Sequence, residues 1–151
     1  QRDRKLKLML FDLPPVAERA RTHFESLGLA HRAEVHGGDF QVDSLPKGAD
    51  LISLVRVIHD HDDDIVRVLL KAIHAALPAN GTLIVAEPMS GVAGAEPIGD
   101  AYFGFYLMAM GRGRPRTAAE ITELLIQAGF RKAQETATRR PMLTGLVVAE
   151  V

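Results

Sequence analysis

ADLISLVRVIHDHDDDIVRVLLKAIHAALPANGTLIVAE, residues 49–87, reads as strand, helix, strand. Ala49–Leu54 is a short apolar run of strand length. Asp62-Asp63-Asp64 opens a helix carried through Leu77 by apolar residues at helical spacing, and Pro78-Ala79-Asn80-Gly81 closes it. Thr82–Ala86 is the next strand and ends at Glu87-Pro88. Two strands joined through a helix pair in parallel, so this stretch places the chain in the α/β class.

The pattern continues outward on both sides. Upstream, Leu6–Phe11 reads as a buried strand ending at Asp12, and Pro14-Pro15 starts a helix on Val16, Ala20, Phe24 and Leu27, with Gly28 as its C-terminal cap. A strand near Ala33–His36 leads into Gly37-Gly38-Asp39-Phe40. Downstream, Met89–Gly99 is the longest irregular segment, and Ala101–Met110, apolar all round, reads as a buried helix or a lid. Thr117-Ala118-Ala119-Glu120 has the form of a capping box before a helix on Ile121, Leu124, Leu125 and Ala128, ended by Gly129. Lys132–Thr138 and Thr144–Glu150 close the chain as strands with no helix between them, which predicts an antiparallel pair. The expected fold is a Rossmann-like, doubly wound, mainly parallel sheet with an antiparallel C-terminal strand. Ligands of such sheets bind at the carboxyl ends of strands, where Asp12, Asp39, Arg56–His59 and Glu87 all fall.

Composition bounds the function. The chain has 151 residues, 47% of them hydrophobic, enough for one domain with a real core. A net charge of −1 gives no global field toward nucleic acid or anionic membrane. There is no cysteine, hence no disulfide framework or thiolate metal site, which fits a reducing compartment. The charged start, Gln1-Arg2-Asp3-Arg4-Lys5, is no signal peptide, and no apolar run reaches the roughly 18 residues of a membrane span. The expectation is a soluble, cytoplasmic protein. A strand beginning almost at once, without an initiator Met, reads as a fragment or a processed chain, and a folded, non-catalytic fragment without a cofactor site is an alternative to an enzyme.

Each polar feature has a functional reading and a plainer one. Asp12 can accept hydrogen bonds from both ribose hydroxyls of a nucleoside, or it can cap the following helix. Asp39 and Phe40 can hold an adenine through its amine and its face, or form an ordinary Gly-Asp turn beside a core ring. His59-Asp60-His61-Asp62-Asp63-Asp64 permits three readings. His59 can serve as a general base, the cluster can ligate metal as in binuclear zinc hydrolases, or the acids can simply cap a helix and face its dipole. Arg112-Gly113-Arg114-Pro115-Arg116 matches a minor-groove DNA hook, but it lies inside a near-neutral domain and reads better as a solvated basic loop.

Taken in order, these segments resemble one family, the S-adenosylmethionine-dependent O-methyltransferases that include the caffeate, flavonoid and acetylserotonin enzymes. Phe11–Pro14, Gly37–Phe40, Ile58–His61, Gly81–Glu87, Gly113–Thr117 and Ala128–Phe130 follow that family's motifs from end to end. His-Asp-His in place of His-Asp-Trp, and the loop Gly111–Thr117, are most similar to the bacterial carotenoid 1-hydroxy (hydroxyneurosporene or demethylspheroidene) O-methyltransferases. The resemblance implies S-adenosylmethionine as cofactor, with Asp12 on its ribose, Asp39 and Phe40 on its adenine, and Arg56 in further contact. It implies His59 as catalytic base, Glu87 as the first of two acids that orient it, and Met108 in an apolar substrate lining within Tyr102–Met110. It also implies a small hydroxylated substrate, a homodimeric full-length protein, and peripheral membrane association through an apolar substrate. No metal and no nucleic acid are expected. Residues 1–151 then form a partial catalytic domain, with the glycine-rich cofactor loop, its strand and a dimerisation domain lying before Gln1. The second orienting acid falls on Pro115, a departure from the family pattern.

Overall fold

The computed structural model describes residues 3, 5–140 and 143–151. Of the charged start, Gln1, Arg2 and Arg4 lie outside the described residues. The chain forms two compact units, Gln1–Lys47 and Gly48–Val151.

In the first unit β1 (Leu8–Asp12) and β2 (Ala33–Gly37) pair in parallel around α1 (Pro14–Ser26). β1 begins two residues later than its apolar run suggests and includes Asp12 as its last residue. Pro14 occupies the first helical position, where its missing N–H costs nothing. The helix has no side-chain cap; Leu13 stands at the N-cap, and the Asp12 carboxylate accepts from the neighbouring Leu13 N–H at 2.7 Å. The capping role weighed for Asp12 is therefore not the one it plays. Gly28 follows the helix with φ of +68°, a conformation that a Cβ disfavours.

The second unit is a four-stranded sheet in the order β3-β4-β6-β5. β3 (Leu51–Val55) and β4 (Thr82–Glu87) are parallel, joined through α2 (Asp63–Ala76). β5 (Lys132–Thr136) and β6 (Gly145–Glu150) pair antiparallel, and β6 also runs antiparallel to β4. This is the α/β plan with an antiparallel finish that the sequence predicts, its strands divided between a two-stranded and a four-stranded sheet. Val66, Leu69, Leu70, Ile73 and Ala76 of α2 are buried, the helical stripe that makes this segment a helix. Leu83 and Val85 of β4, Val147 and Ala149 of β6, and Ile121, Leu124 and Leu125 of the capping-box helix α3 (Ala118–Gln127) are likewise buried. Each buried Leu, Ile or Val side chain contributes on the order of 1.5–3 kcal/mol.

Of the two readings of the apolar segment, the helix buried all round is not the one that forms. A π-helical turn, Pro97–Tyr102, runs into a short helix, Phe103–Met110. Only Phe103 and Leu107 of that helix are buried, while Phe105, Tyr106, Met108 and Met110 are exposed. The segment therefore presents an apolar face to solvent and is not a core helix.

Candidate active site

In the first unit the two candidate nucleoside acids stand at adjacent strand ends. The β1–β2 register pairs Asp12 with Gly37, and the Gly38 N–H donates to the Asp12 carbonyl at 2.9 Å. Asp39 follows in a turn: its Oδ1 accepts from the Gln41 N–H at 2.9 Å, and its own N–H donates to Asp43 Oδ2 at 2.8 Å. Gly38 fits closely here: a Cβ would lie 2.7 Å from the Phe11 ring and would displace it. The turn reading of Gly-Asp thus holds, and the turn sets Asp39 beside the Asp12 strand end. Asp12 is exposed, and Asp39 and Phe40 are half-buried.

In the second unit β3 ends at Val55, and Arg56 turns the chain with φ of +56°, a left-handed conformation unusual for a residue with a Cβ. Its N–H donates to the Ala86 carbonyl at 2.9 Å, so the turn is anchored to β4. The Arg56 guanidinium lies 5.2 Å above the centre of the Phe103 ring. The turn delivers His59 into a 3₁₀ turn, Ile58–Asp60, facing the end of β4.

There the imidazole is closely held. His59 and Glu87 are buried, 4% and 2% exposed. His59 Nδ1 is hydrogen-bonded to Glu87 Oε2, while Glu87 Oε1 accepts from the Val57 and Ile58 N–H groups at 2.8 and 2.9 Å. One carboxylate therefore fixes both the ring and the backbone that carries it. His59 Nε2 faces Asp60 Oδ1 at 3.2 Å, and the edge-to-face Phe103 ring packs at 5.7 Å. Sequence reasoning places Arg56, His59 and Glu87 at or just past strand ends, and the structure hydrogen-bonds His59 to Glu87 and sets Arg56 and His59 against the same Phe103 ring. Met108 sits on the outer face of its helix, 75% exposed.

Three participants escaped the sequence reading. Asp60 is the second carboxylate against His59. Phe103 is the residue of the apolar segment that touches the ring. Arg116, read as part of a solvated basic loop, is 2% exposed and donates to Ile58 O, His61 O and Asp63 Oδ1 at 2.6, 2.8 and 2.6 Å. The signal for it was charge balance, since three consecutive acids call for cations, but a partner 53 positions away in the sequence leaves no periodic trace. The acids' capping role is correspondingly modified. Asp62 occupies the N-cap position of α2 without a side-chain cap, and its carboxylate accepts from the Gly113 N–H at 2.9 Å. Burial alone would raise the Asp63 pKa, but hydrogen bonds from Arg116 and Arg114 hold it below the ordinary value. Burial, aided by Arg112, holds His61 below the usual histidine value. Among the described residues no group of three or more His, Asp or Glu side chains is placed to hold a metal ion, and nothing supports the hydrolase alternative.

Residues 4–131 match the model of the O-methyltransferase domain. The chain belongs to that family. Among curated relatives, this O-methyltransferase domain is 51% identical over 144 residues to demethylspheroidene O-methyltransferase of Cereibacter sphaeroides, covering 95% of this chain and 38% of that protein. It is 36% identical over 125 residues to acetylserotonin O-methyltransferase of Bos taurus, covering 83% of this chain and 36% of that protein. Among solved structures, human N-acetylserotonin methyltransferase in complex with SAM superposes with a TM-score of 0.78 at 28% identity, over 95% of this chain and 40% of that one. The chain thus spans little more than a third of the length of these relatives. Among its described residues, no helix is long and apolar enough to cross a membrane.

Proposed function

We propose that the protein carrying this chain transfers a methyl group from S-adenosylmethionine to a hydroxyl of a small apolar molecule, with His59 as general base. The observation that carries this reading is the buried His59–Glu87 pair at the ends of parallel strands in a chain of the O-methyltransferase family. The donor set fits the cofactor. Asp12 and Asp39 are acceptors at neighbouring strand ends, and the ribose hydroxyls and adenine amine are donors. Phe40 offers a face for the base, and in the second unit Arg56 is the further candidate contact. When bound, S-adenosylmethionine supplies a methyl group already activated on a sulfonium.

The protein's share is to place an oxygen and remove its proton. Alignment accounts for up to ~7–11 kcal/mol of a barrier in favourable cases. Positioned proton removal adds roughly 10²–10⁴-fold. With Nδ1–H donated to Glu87, Nε2 carries the lone pair that takes the substrate proton. Asp60 at Nε2 is half-exposed and yields to the substrate oxygen more readily than buried Glu87. Once Nε2 is protonated, both carboxylates stabilise the imidazolium. A tertiary aliphatic alcohol of a carotenoid is the favoured acceptor, on the 51% identity to demethylspheroidene O-methyltransferase and the exposed apolar face of Phe103–Met110. The test is incubation of the full-length protein with methyl-labelled S-adenosylmethionine and a 1-hydroxylated carotenoid. The reading expects label in a methyl ether. Cofactor binding without label in any hydroxylated apolar acceptor contradicts it.

A further inference from the structure

The loop Gly113–Arg116 grips the backbone on both sides of His59, and its contacts are of a kind that a solvated loop does not make. The Arg116 guanidinium donates to the carbonyls of Ile58 and His61, which bracket His59 and Asp60, and to Asp63 at the start of α2. Gly113 approaches from the same loop. It has φ of +77°, its N–H donates to Asp62, and a Cβ added to it would lie 2.2 Å from the His59 carbonyl oxygen. Arg114 bridges Asp63 and Glu120 at 3.1 and 2.7 Å, tying the grip to the first turn of α3. The Ile58 carbonyl begins the 3₁₀ turn and accepts only a long 3.4 Å bond from the N–H of His61, the residue that caps it, so the guanidinium adds a shorter bond to the first carbonyl and a bond to the His61 carbonyl just beyond the turn.

The geometry points to Arg116 as a positioning residue for His59, acting with Gly113 through the backbone of residues 58–61 and not through the substrate. Glu87 fixes the imidazole from the strand side, and the loop fixes the turn that bears it from the helix side. The assignment rests on His59 being the base. A planar guanidinium meets two divergent carbonyls and a carboxylate at once, whereas a lysine ammonium at the same place meets fewer of them.

The test uses the full-length protein with Arg116→Gln, Arg116→Lys and Gly113→Ala, beside His59→Ala. Folded sites are counted by S-adenosylhomocysteine binding, and kcat, acceptor KM and the imidazole ¹⁵N spectrum are measured. Arg116→Gln and Gly113→Ala are expected to lose roughly 10- to 100-fold in kcat per folded site, with acceptor KM and cofactor affinity changed by less than ~3-fold. The His59 ring resonances are expected to shift, and Arg116→Lys to recover part of the loss. A role confined to stability would reduce the number of folded sites and leave kcat per site and the ring resonances unchanged. Either variant turning over at the wild-type rate per folded site overturns the assignment. Should Arg116→Gln not fold, Arg116→Lys and Gly113→Ala decide by the same measure. Normal turnover in His59→Ala overturns the base reading itself, whereas a slow His59→Ala beside normal loop variants overturns only the role of the loop.

Discussion

Glu87 carries three hydrogen bonds at once, to the His59 ring and to the Val57 and Ile58 N–H groups. Glu87→Gln keeps an oxygen for the two backbone donors but turns an N–H₂ toward Nδ1. The ring must then carry its proton on Nε2, the atom the proposed reaction needs unprotonated. The expected result is kcat lower by at least ~10-fold with cofactor affinity retained, checked by steady-state kinetics and calorimetric titration. Asp63 offers a second test at this scale. Its folded pKa lies below its ordinary value of 3.8 because the Arg116 and Arg114 bonds outweigh burial. The folded state therefore holds fewer protons there than the unfolded chain. Its stabilising contribution is complete above the ordinary carboxylate value and is lost as pH falls through the lower, folded one. The difference in melting temperature between wild type and Asp63→Asn is accordingly expected to shrink on acidification below about pH 4. A difference independent of pH in thermal melts would refute this.

At the scale of the element, the capping box of α3 is present with both reciprocal bonds: the Glu120 N–H to Thr117 Oγ1 at 3.2 Å and the Thr117 N–H to Glu120 Oε2 at 2.8 Å. Thr117→Ala is expected to cost about 1 kcal/mol in denaturant unfolding, with no change in m-value. This element was legible because a cap is written in four adjacent residues. The α2 stripe and the antiparallel close were legible for the same reason, each being a periodic or local pattern. Phe103–Met110 was not. Uniform apolarity gives no period, so the sequence could not tell a helix buried all round from one whose outer face meets water, and the exposed Phe105 and Met108 settle the matter. The loop Arg112–Arg116 was misread because its meaning depends on acids more than 50 positions away.

At the scale of the molecule, the strand order and the resemblance in motif order placed Asp12, Asp39, Arg56, His59 and Glu87 at or just past carboxyl ends of strands, and the structure has Asp12 and Glu87 as last strand residues and Asp39, Arg56 and His59 in the turns that follow. What order along the chain did not supply was the detail inside the site, namely which carboxylate takes which ring nitrogen and what holds the turn. In the first unit, Asp12→Ala and Asp39→Ala in the full-length protein are expected to weaken S-adenosylhomocysteine binding by roughly 1–3 kcal/mol each, since each removes a charged acceptor. Calorimetry that found both unchanged would return the two acids to local turn chemistry alone. The most direct test of the whole account is the turnover of His59→Ala in the full-length protein, measured beside its affinity for S-adenosylhomocysteine. The account predicts kcat lower by ~10²-fold or more at nearly unchanged cofactor affinity. A variant that binds cofactor normally and turns over at the wild-type rate would contradict it.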